Sequence, residues 1–270
     1  TAGNVDNFTI NRASGVVLSS NLMVSGVLGL QAANPSAITG SLETNSHVLV
    51  MGALATTIGP GDVNGTVVRT SFLPDVPYSF GNQYTTVTFN SAGTLPSEMG
   101  IRIALGVAPS WKQDAILRSY DVIRTGGSGS GLTVNLHYLA SELNANEETE
   151  ISPWDYHALP PVTLEKHART GQNLSEKWVS FFLDDVDYLG IAFSERPWTL
   201  ARPVYVTFMG TKGWRMITSP TLTTCADLLT GFISQGVPGS SYPEKQPNFL
   251  WFDETDTLTT NMSWRTSVYN

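Results

Sequence analysis

Gly15-Val-Val-Leu-Ser-Ser-Asn-Leu-Met-Val-Ser-Gly-Val-Leu-Gly-Leu30 is answered, after a turn-like Ala33-Asn-Pro-Ser36, by Ala37-Ile-Thr-Gly-Ser-Leu-Glu-Thr-Asn-Ser-His-Val-Leu-Val-Met-Gly52. Each apolar run is short, rich in Val and Leu, and broken by Gly, Asn or Ser, a pattern of strands rather than helices. No run is long enough to bury its apolar face alone. Stacking like on like, within the chain or between chains, is the economical solution. Residues 1–70 are therefore expected to form a strand ladder, either solenoid-like or edge-stacked, with an ordinary meander as the plainer reading. Asn64-Gly65, before Thr66-Val-Val-Arg-Thr70, has the chemistry of a hairpin turn.

Working outward, residues 71–208 read as a β-sandwich. Tyr84-Thr-Thr-Val-Thr-Phe89, Ile101-Arg-Ile-Ala-Leu-Gly-Val107, Leu132-Thr-Val-Asn-Leu-His-Tyr-Leu139 and Pro203-Val-Tyr-Val-Thr-Phe208 alternate with the period of strands that bury one face. Gly126-Gly-Ser-Gly-Ser-Gly131 separates two of these runs and reads as a flexible hairpin loop. It lacks the Gly-Lys-Ser/Thr ending and the following helix of a phosphate loop. Residues 209–270 form a third region. Thr224-Cys-Ala-Asp-Leu-Leu-Thr-Gly-Phe-Ile-Ser-Gln-Gly236 suits one short amphipathic helix capped by Thr223 or Thr224, and Asn248-Phe-Leu-Trp-Phe-Asp-Glu-Thr-Asp256 returns to strand composition. The expected fold is all-β: a strand ladder on or beside a sandwich, with one short C-terminal helix.

Composition narrows the function classes. Charged residues make up 14% of the 270 residues, against roughly 25% in ordinary soluble domains, so Ser, Thr, Asn and Gln must supply the polar surface. A net charge of −8 and a pI near 4.9 argue against nucleic acid, whose phosphates require clustered Lys and Arg. No apolar run reaches the roughly 20 residues of a membrane-spanning helix. Cys225 is the single cysteine, which excludes an intrachain disulfide and a cysteine-based zinc site. The chain opens Thr1-Ala-Gly-Asn-Val-Asp-Asn-Phe-Thr-Ile10, and the expectation is a piece of a longer precursor.

Gly213-Trp-Arg-Met216, Ser219-Pro220, Ala226-Asp-Leu-Leu229, Gln235-Gly236, Pro238-Gly-Ser240, Pro247-Asn248 and Trp251-Phe-Asp-Glu-Thr-Asp256 together resemble a module of very large secreted surface proteins of Gram-negative environmental bacteria, gliding types included. Val5-Asp-Asn-Phe-Thr-Ile-Asn11 and Leu18-Ser-Ser-Asn-Leu-Met-Val-Ser-Gly26 resemble the segments that precede such modules. The resemblance implies export, a cell-surface location and modular β architecture, with no active site attached.

The residues that carry chemistry are few. Asp184, Asp185 and Asp187 bring three carboxylates close enough to supply oxygen ligands to calcium, but the Asp-x-Asp-x-Asp-Gly loop and its distal Glu are missing, so a solvated turn is expected. Glu142, Glu147, Glu148 and Glu150 read as a polar loop. His47, His137, His157 and His167 have no metal-type spacing; nine residues lie between the closest pair. No Gly-x-Ser-x-Gly elbow stands on a strand-to-helix turn. Asn7, Asn64, Asn173 and Asn261 match the glycosylation pattern and are expected to be unused.

Of the seven tryptophans, Trp111, Trp154, Trp178, Trp198, Trp214, Trp251 and Trp264, most belong in cores. Trp154 and Trp198 lie in loop-like contexts and are the expected exposed platforms for sugars. The sequence thus predicts an extracellular, non-enzymatic structural subunit with no cofactor or metal, which assembles with copies of itself through N-terminal strand pairing into a surface filament or layer with an adhesive role. The alternative is a carbohydrate-binding module of a longer secreted enzyme or adhesin, with surface glycans as partners.

Overall fold

The computed structural model describes residues 3–31, 42–158, 163–186, 189–203, 250–252 and 264–266. The chain divides into two compact units, Thr1–Val206 and Thr207–Asn270. It is an all-β protein. Among the described residues the one helical element described in full is a 3-10 turn, Ala140–Glu142. The helix expected over 224–236 and the strand expected over 203–208 lie outside the described residues, except for Pro203.

The first unit begins with eight strands: β1 (Gly3–Val5), β2 (Phe8–Ile10), β3 (Val16–Val17), β4 (Leu22–Val24), β5 (Val27–Leu30), β6 (Leu42–Met51), β7 (Thr56–Ile58) and β8 (Val63–Thr70). They stack as parallel rungs in two sheets. In one, β1, β4, β6 and β8 lie side by side, with Val5 opposite Val24, Val24 opposite Met51, and Met51 opposite Arg69. In the other, β2, β5 and β7 align Phe8, Leu28 and Thr57. Parallel rungs of this kind need no hairpins, because each turn of chain returns to the same edge one strand further on.

The corner between the two sheets is built from small and polar residues. The Gly26 N–H donates to Asp6 O at 2.7 Å, and the Val27 N–H donates to Asn7 Oδ1 at 2.8 Å. A Cβ on Gly26 would lie 2.7 Å from that same Asn7 oxygen, so the close stacking of the corner requires glycine.

The inward column of Val5, Val24 and Met51 ends in Arg69, which is fully buried. Its guanidinium donates to Ser79 O (2.7 Å), Gly52 O (3.0 Å) and Ala55 O (2.7 Å), and lies near the rings of Tyr78 and Phe80. Burial pulls its pKa down to about 10, with Tyr78 opposing. The neighbouring column ends in Thr57, whose N–H donates to Ser79 Oγ. An apolar ladder interior is thereby closed at its C-terminal end by the Arg69 guanidinium, which satisfies backbone carbonyls, and by Ser79 Oγ, which accepts from the Thr57 N–H and donates to Thr57 Oγ1.

The sandwich uses β9 (Pro77–Ser79), β10 (Thr86–Phe89), β11 (Glu98–Leu105), β12 (Arg118–Thr125), β13 (Leu132–His137), β14 (Ser152–His157), β15 (Thr163–Lys166), β16 (Arg169–Asn173), β17 (Trp178–Leu183) and β18 (Pro197–Ala201). β8 pairs in parallel with β6 and antiparallel with β11, so ladder and sandwich share one ten-stranded sheet. Its order is β1-β4-β6-β8-β11-β12-β18-β14-β15, with β3 also on β6. The division expected after residue 70 is thus a change of pairing direction within one sheet. A second sheet, β16-β17-β13-β10-β9, packs over the antiparallel half. Trp198 of the first stacks on Phe181 of the second, with ring centroids 4.9 Å apart. In the second unit, β19 (Leu250–Phe252) pairs antiparallel with β20 (Trp264–Thr266), so strand structure does return within 248–256.

Two turn expectations are corrected. Asn64-Gly65 is no hairpin: both residues lie inside β8, and Gly65 has φ +126° where a Cβ would meet Thr44 Oγ1 at 1.9 Å. The glycine serves a close strand approach, and the Thr66 N–H donates to that Thr44 oxygen. Gly126–Gly131 joins β12 to β13, which lie in different sheets, so it is a crossover. It is pinned rather than free, since Thr94 and Ser128 exchange backbone bonds and the Gly129 N–H donates to the Asp185 carboxylate.

Candidate functional site

Side chains alternate along a strand, so the residues between the core positions of β11 and β12 face outward. Arg102 lies opposite Asp121 and Ala104 opposite Ser119, while Pro197 of β18 flanks Asp121 on its other side. The loop 106–117 and the loop 191–196 rise beside this face. Together they line a cleft of about 490 Å³ with Arg102, Asp121, Ser119, Trp111, Tyr156 and Ser194 among its walls, within the ~300–1,000 Å³ of ordinary ligand sites.

Asp121, itself buried, is one of the residues that line the cleft. Its Oδ2 accepts from Arg102 (2.5 Å), from the Ser194 N–H (2.6 Å) and, at 3.4 Å, from Ser194 Oγ. Its Oδ1 is buried without a hydrogen-bond partner. Burial raises the Asp121 carboxyl above its ordinary value, although the Ser194 N–H and Arg102 act the other way. Phe193 holds the Arg102 guanidinium, 4.4 Å from its ring centroid. Trp111 and Tyr156 stack on each other, centroids 5.5 Å apart and planes 13° from parallel.

Both loops are fixed in place. Asn144 Nδ2 donates to Gln113 O and Ala115 O, and Asn146 Nδ2 to Asp114 O. Buried Lys112 bonds Asp114 at 2.8 Å and sits 4.4 Å over the Trp154 ring. On the other loop, the Ile191 and Ala192 N–H groups donate to Glu195.

Trp154 and Trp198 are not exposed platforms. They are 6% and 1% exposed, because Pro153-Trp154 and Pro197-Trp198 belong to paired strands rather than loops. The sequence-based reading missed Trp111, Tyr156 and the Arg102–Asp121 pair. Only cross-strand register joins the last two, and register is invisible before the pairing is known.

Glu142 is not part of a polar loop. It is buried and bonds Arg118 at 2.8 and 3.0 Å, while Asp62 takes the other side of the same guanidinium at 2.9 and 3.0 Å. His137 Nδ1 lies 3.2 Å from Asp62, and the Tyr120 hydroxyl donates to His137 O. Burial alone would raise the Asp62 carboxyl, but Arg118 and His137 outweigh it and hold it well below the usual range. Glu148 pairs with Lys177 at 2.8 Å, and Glu147 is exposed. Asp185 anchors the glycine crossover, Asp184 is exposed, and Asp187 lies outside the described residues.

His167, expected to stand alone, meets Asp155 at 3.0 Å with Glu165 close by, three groups whose ligand atoms lie within 4.8 Å of one another. Arg196 contacts Asp155 through Nε and Glu165 at 3.7 Å. A guanidinium thus already occupies the position between the two carboxylates, and the cluster reads as an ion-pair network on β14 and β15. Asn7 Oδ1 accepts from the Val27 N–H of the next rung, and Asn173 serves a turn, its Oδ1 accepting from the Ser175 and Glu176 N–H groups.

A second feature is the open end of the ladder. Among the described residues no strand pairs with the outer edge of β1 or β2. The Gly3 N–H and the Val5 and Ile10 carbonyls bond inward to the next rung, so the backbone groups of Asn4 and Thr9 point outward.

Comparison of the chain with family models, curated proteins and solved structures finds no match.

Proposed function

We propose that the protein is an extracellular structural module of a bacterial surface assembly, which joins copies of itself through the first rung of its ladder and serves adhesion. The observation that carries this reading is the asymmetry of the ladder: Arg69 and Thr57 close one end, whereas β1 and β2 present unpaired edges at the other. An unpaired, uncharged strand edge is a template for another chain. The low charge content and the resemblance to secreted surface modules support the extracellular location.

Geometry limits the mode of assembly. Two first rungs meeting each other close on a two-fold axis and stop at a pair. A filament requires the rung to meet a different edge, and among the described residues the far edge of the same sheet, β15, also pairs with no further strand. Electron microscopy and sedimentation of the purified protein test the reading. Asn4→Pro and Thr9→Pro each remove an outward N–H without touching the inward bonds, and are expected to abolish the assembled species. A wild-type protein that stays monomeric at every concentration refutes the proposal.

A further inference from the structure

We propose that the first rung of the ladder binds the first rung of a second copy about a two-fold axis, Asn4 pairing with Asn4 and Thr9 with Thr9. This rests on the reading of that rung as the joining surface, and it names the partner edge. The rung is open in its interior as well as along its backbone. Val5 and Phe8 are only half-buried against the core, whereas Val24 and Leu28, their counterparts on the next rung, are fully buried. A partner must therefore cover an apolar interior and pair with two strands at once.

The rung meets both demands with itself. β1 and β2 are joined by the corner Asp6-Asn7, so Asn4 and Thr9, each two positions from it, lie across the interior from one another. One two-fold axis normal to the sheets serves both. In an antiparallel pair, a residue whose N–H and C=O both point outward exchanges two bonds with the residue opposite, and both sheets then run on through the contact. Counting outward from Thr9 along β2 brings the corner Asp6 opposite Arg12 of the second copy, and the symmetry makes that pair twice. Both residues are exposed, and among the described residues neither has an ion-pair partner in its own chain. A head-to-tail contact with β15 is less well matched. That strand carries Glu165 and Lys166, and charges along an edge oppose strand addition. β1 and β2 contain no charged residue. The pair is the unit from which any larger assembly grows.

Sedimentation of the intact protein is expected to show a concentration-dependent dimer. Asp6→Arg and Arg12→Asp should each weaken it about ten-fold, because like charges then face each other twice. An equimolar mixture of the two variants should recover it, since the mixed dimer restores both unlike pairs, which a head-to-tail contact does not. Oxidation of Asn4→Cys, in a Cys225→Ser background, should cross-link the variant to itself, as Cα atoms in such a pair are about 5.5 Å apart. Cross-linking of Asn4→Cys only when mixed with Glu165→Cys, or charge variants that associate like wild type, overturns the two-fold pair while leaving the first rung as a joining surface. A protein that stays monomeric at every concentration overturns both.

Discussion

The ladder and the sandwich share one sheet yet are held by different means. In the ladder, parallel rungs stack Val5, Val24 and Met51 in one column and Phe8 and Leu28 in another, so each rung depends on the next. In the sandwich, antiparallel strands from two sheets bury large rings, Trp198 on Phe181 and Phe72 against Phe89 and Tyr78. Its polar centre is Arg118 between Asp62 and Glu142. The difference teaches where each half is vulnerable. A ladder is weakest at an uncovered end, whereas a sandwich with buried charges is weakest at its centre.

The sharpest way to break this comparison is Arg118→Leu. The change leaves Asp62 and Glu142 buried without their cation, and removing one member of a buried ionic group costs on the order of 3–5 kcal/mol. Asp62 immediately precedes β8, the strand shared by both halves. The loss should therefore spread to the ladder and appear as one cooperative transition in urea. Two separate transitions would show that the halves are independent despite their common sheet. Replacing all three charges together, Arg118→Met with Asp62→Leu and Glu142→Leu, should recover most of the loss.

Legibility in the sequence follows the same division. The ladder could be read because its signal is local: short Val- and Leu-rich runs punctuated by Gly and Asn carry their own meaning. The strands around Val87, Ile103 and Val134 were readable by alternation for the same reason. What could not be read depended on partners distant in the chain. Asn64-Gly65 has the composition of a hairpin, but Thr44 from a neighbouring rung decides its role. Glu142 sits in an acidic run and reads as solvated until Arg118 arrives beside it. Trp198 follows a proline and reads as loop, although β12 and β14 flank it as strands.

A smaller effect is expected from Arg69→Ala, which uncaps the ladder without touching the sandwich network. Gly52 O, Ala55 O and Ser79 O lose their donor, and the apolar column loses its closing group. Buried acceptors left unpaired cost about 1–3 kcal/mol each, and water entering at the new opening returns part of this. The net loss should be roughly 2–4 kcal/mol. Hydrogen exchange locates it: amides of β4, β5 and β7 should lose protection while those of β13 and β17 keep theirs. Uniform loss across both sheets would mean that Arg69 supports the whole unit rather than the end of the ladder.

The smallest effect is graded rather than abrupt, and it comes from protons. Arg118 and His137 hold Asp62 well below the ordinary carboxyl value of 3.8 despite its burial. The unfolded chain therefore binds a proton at Asp62 more readily than the folded chain does. Stability from this source is fully present above the unfolded value and is lost as pH falls below it toward the folded value. One proton can contribute a slope of at most about 1.4 kcal/mol per pH unit. Asp121, raised by burial, acts in the opposite sense and favours the folded state as acid is added, but it does so above the unfolded carboxyl value, whereas the Asp62 loss comes at and below that value. Urea unfolding measured stepwise from pH 6 down to about pH 3 should show stability falling most steeply at the acid end. Asp62→Asn, less stable at pH 6, should have the flatter profile, because its side chain no longer titrates. An unchanged slope in that variant would assign the acid sensitivity to carboxylates outside the Arg118 network and remove the sandwich centre as the acid-sensitive point of the fold.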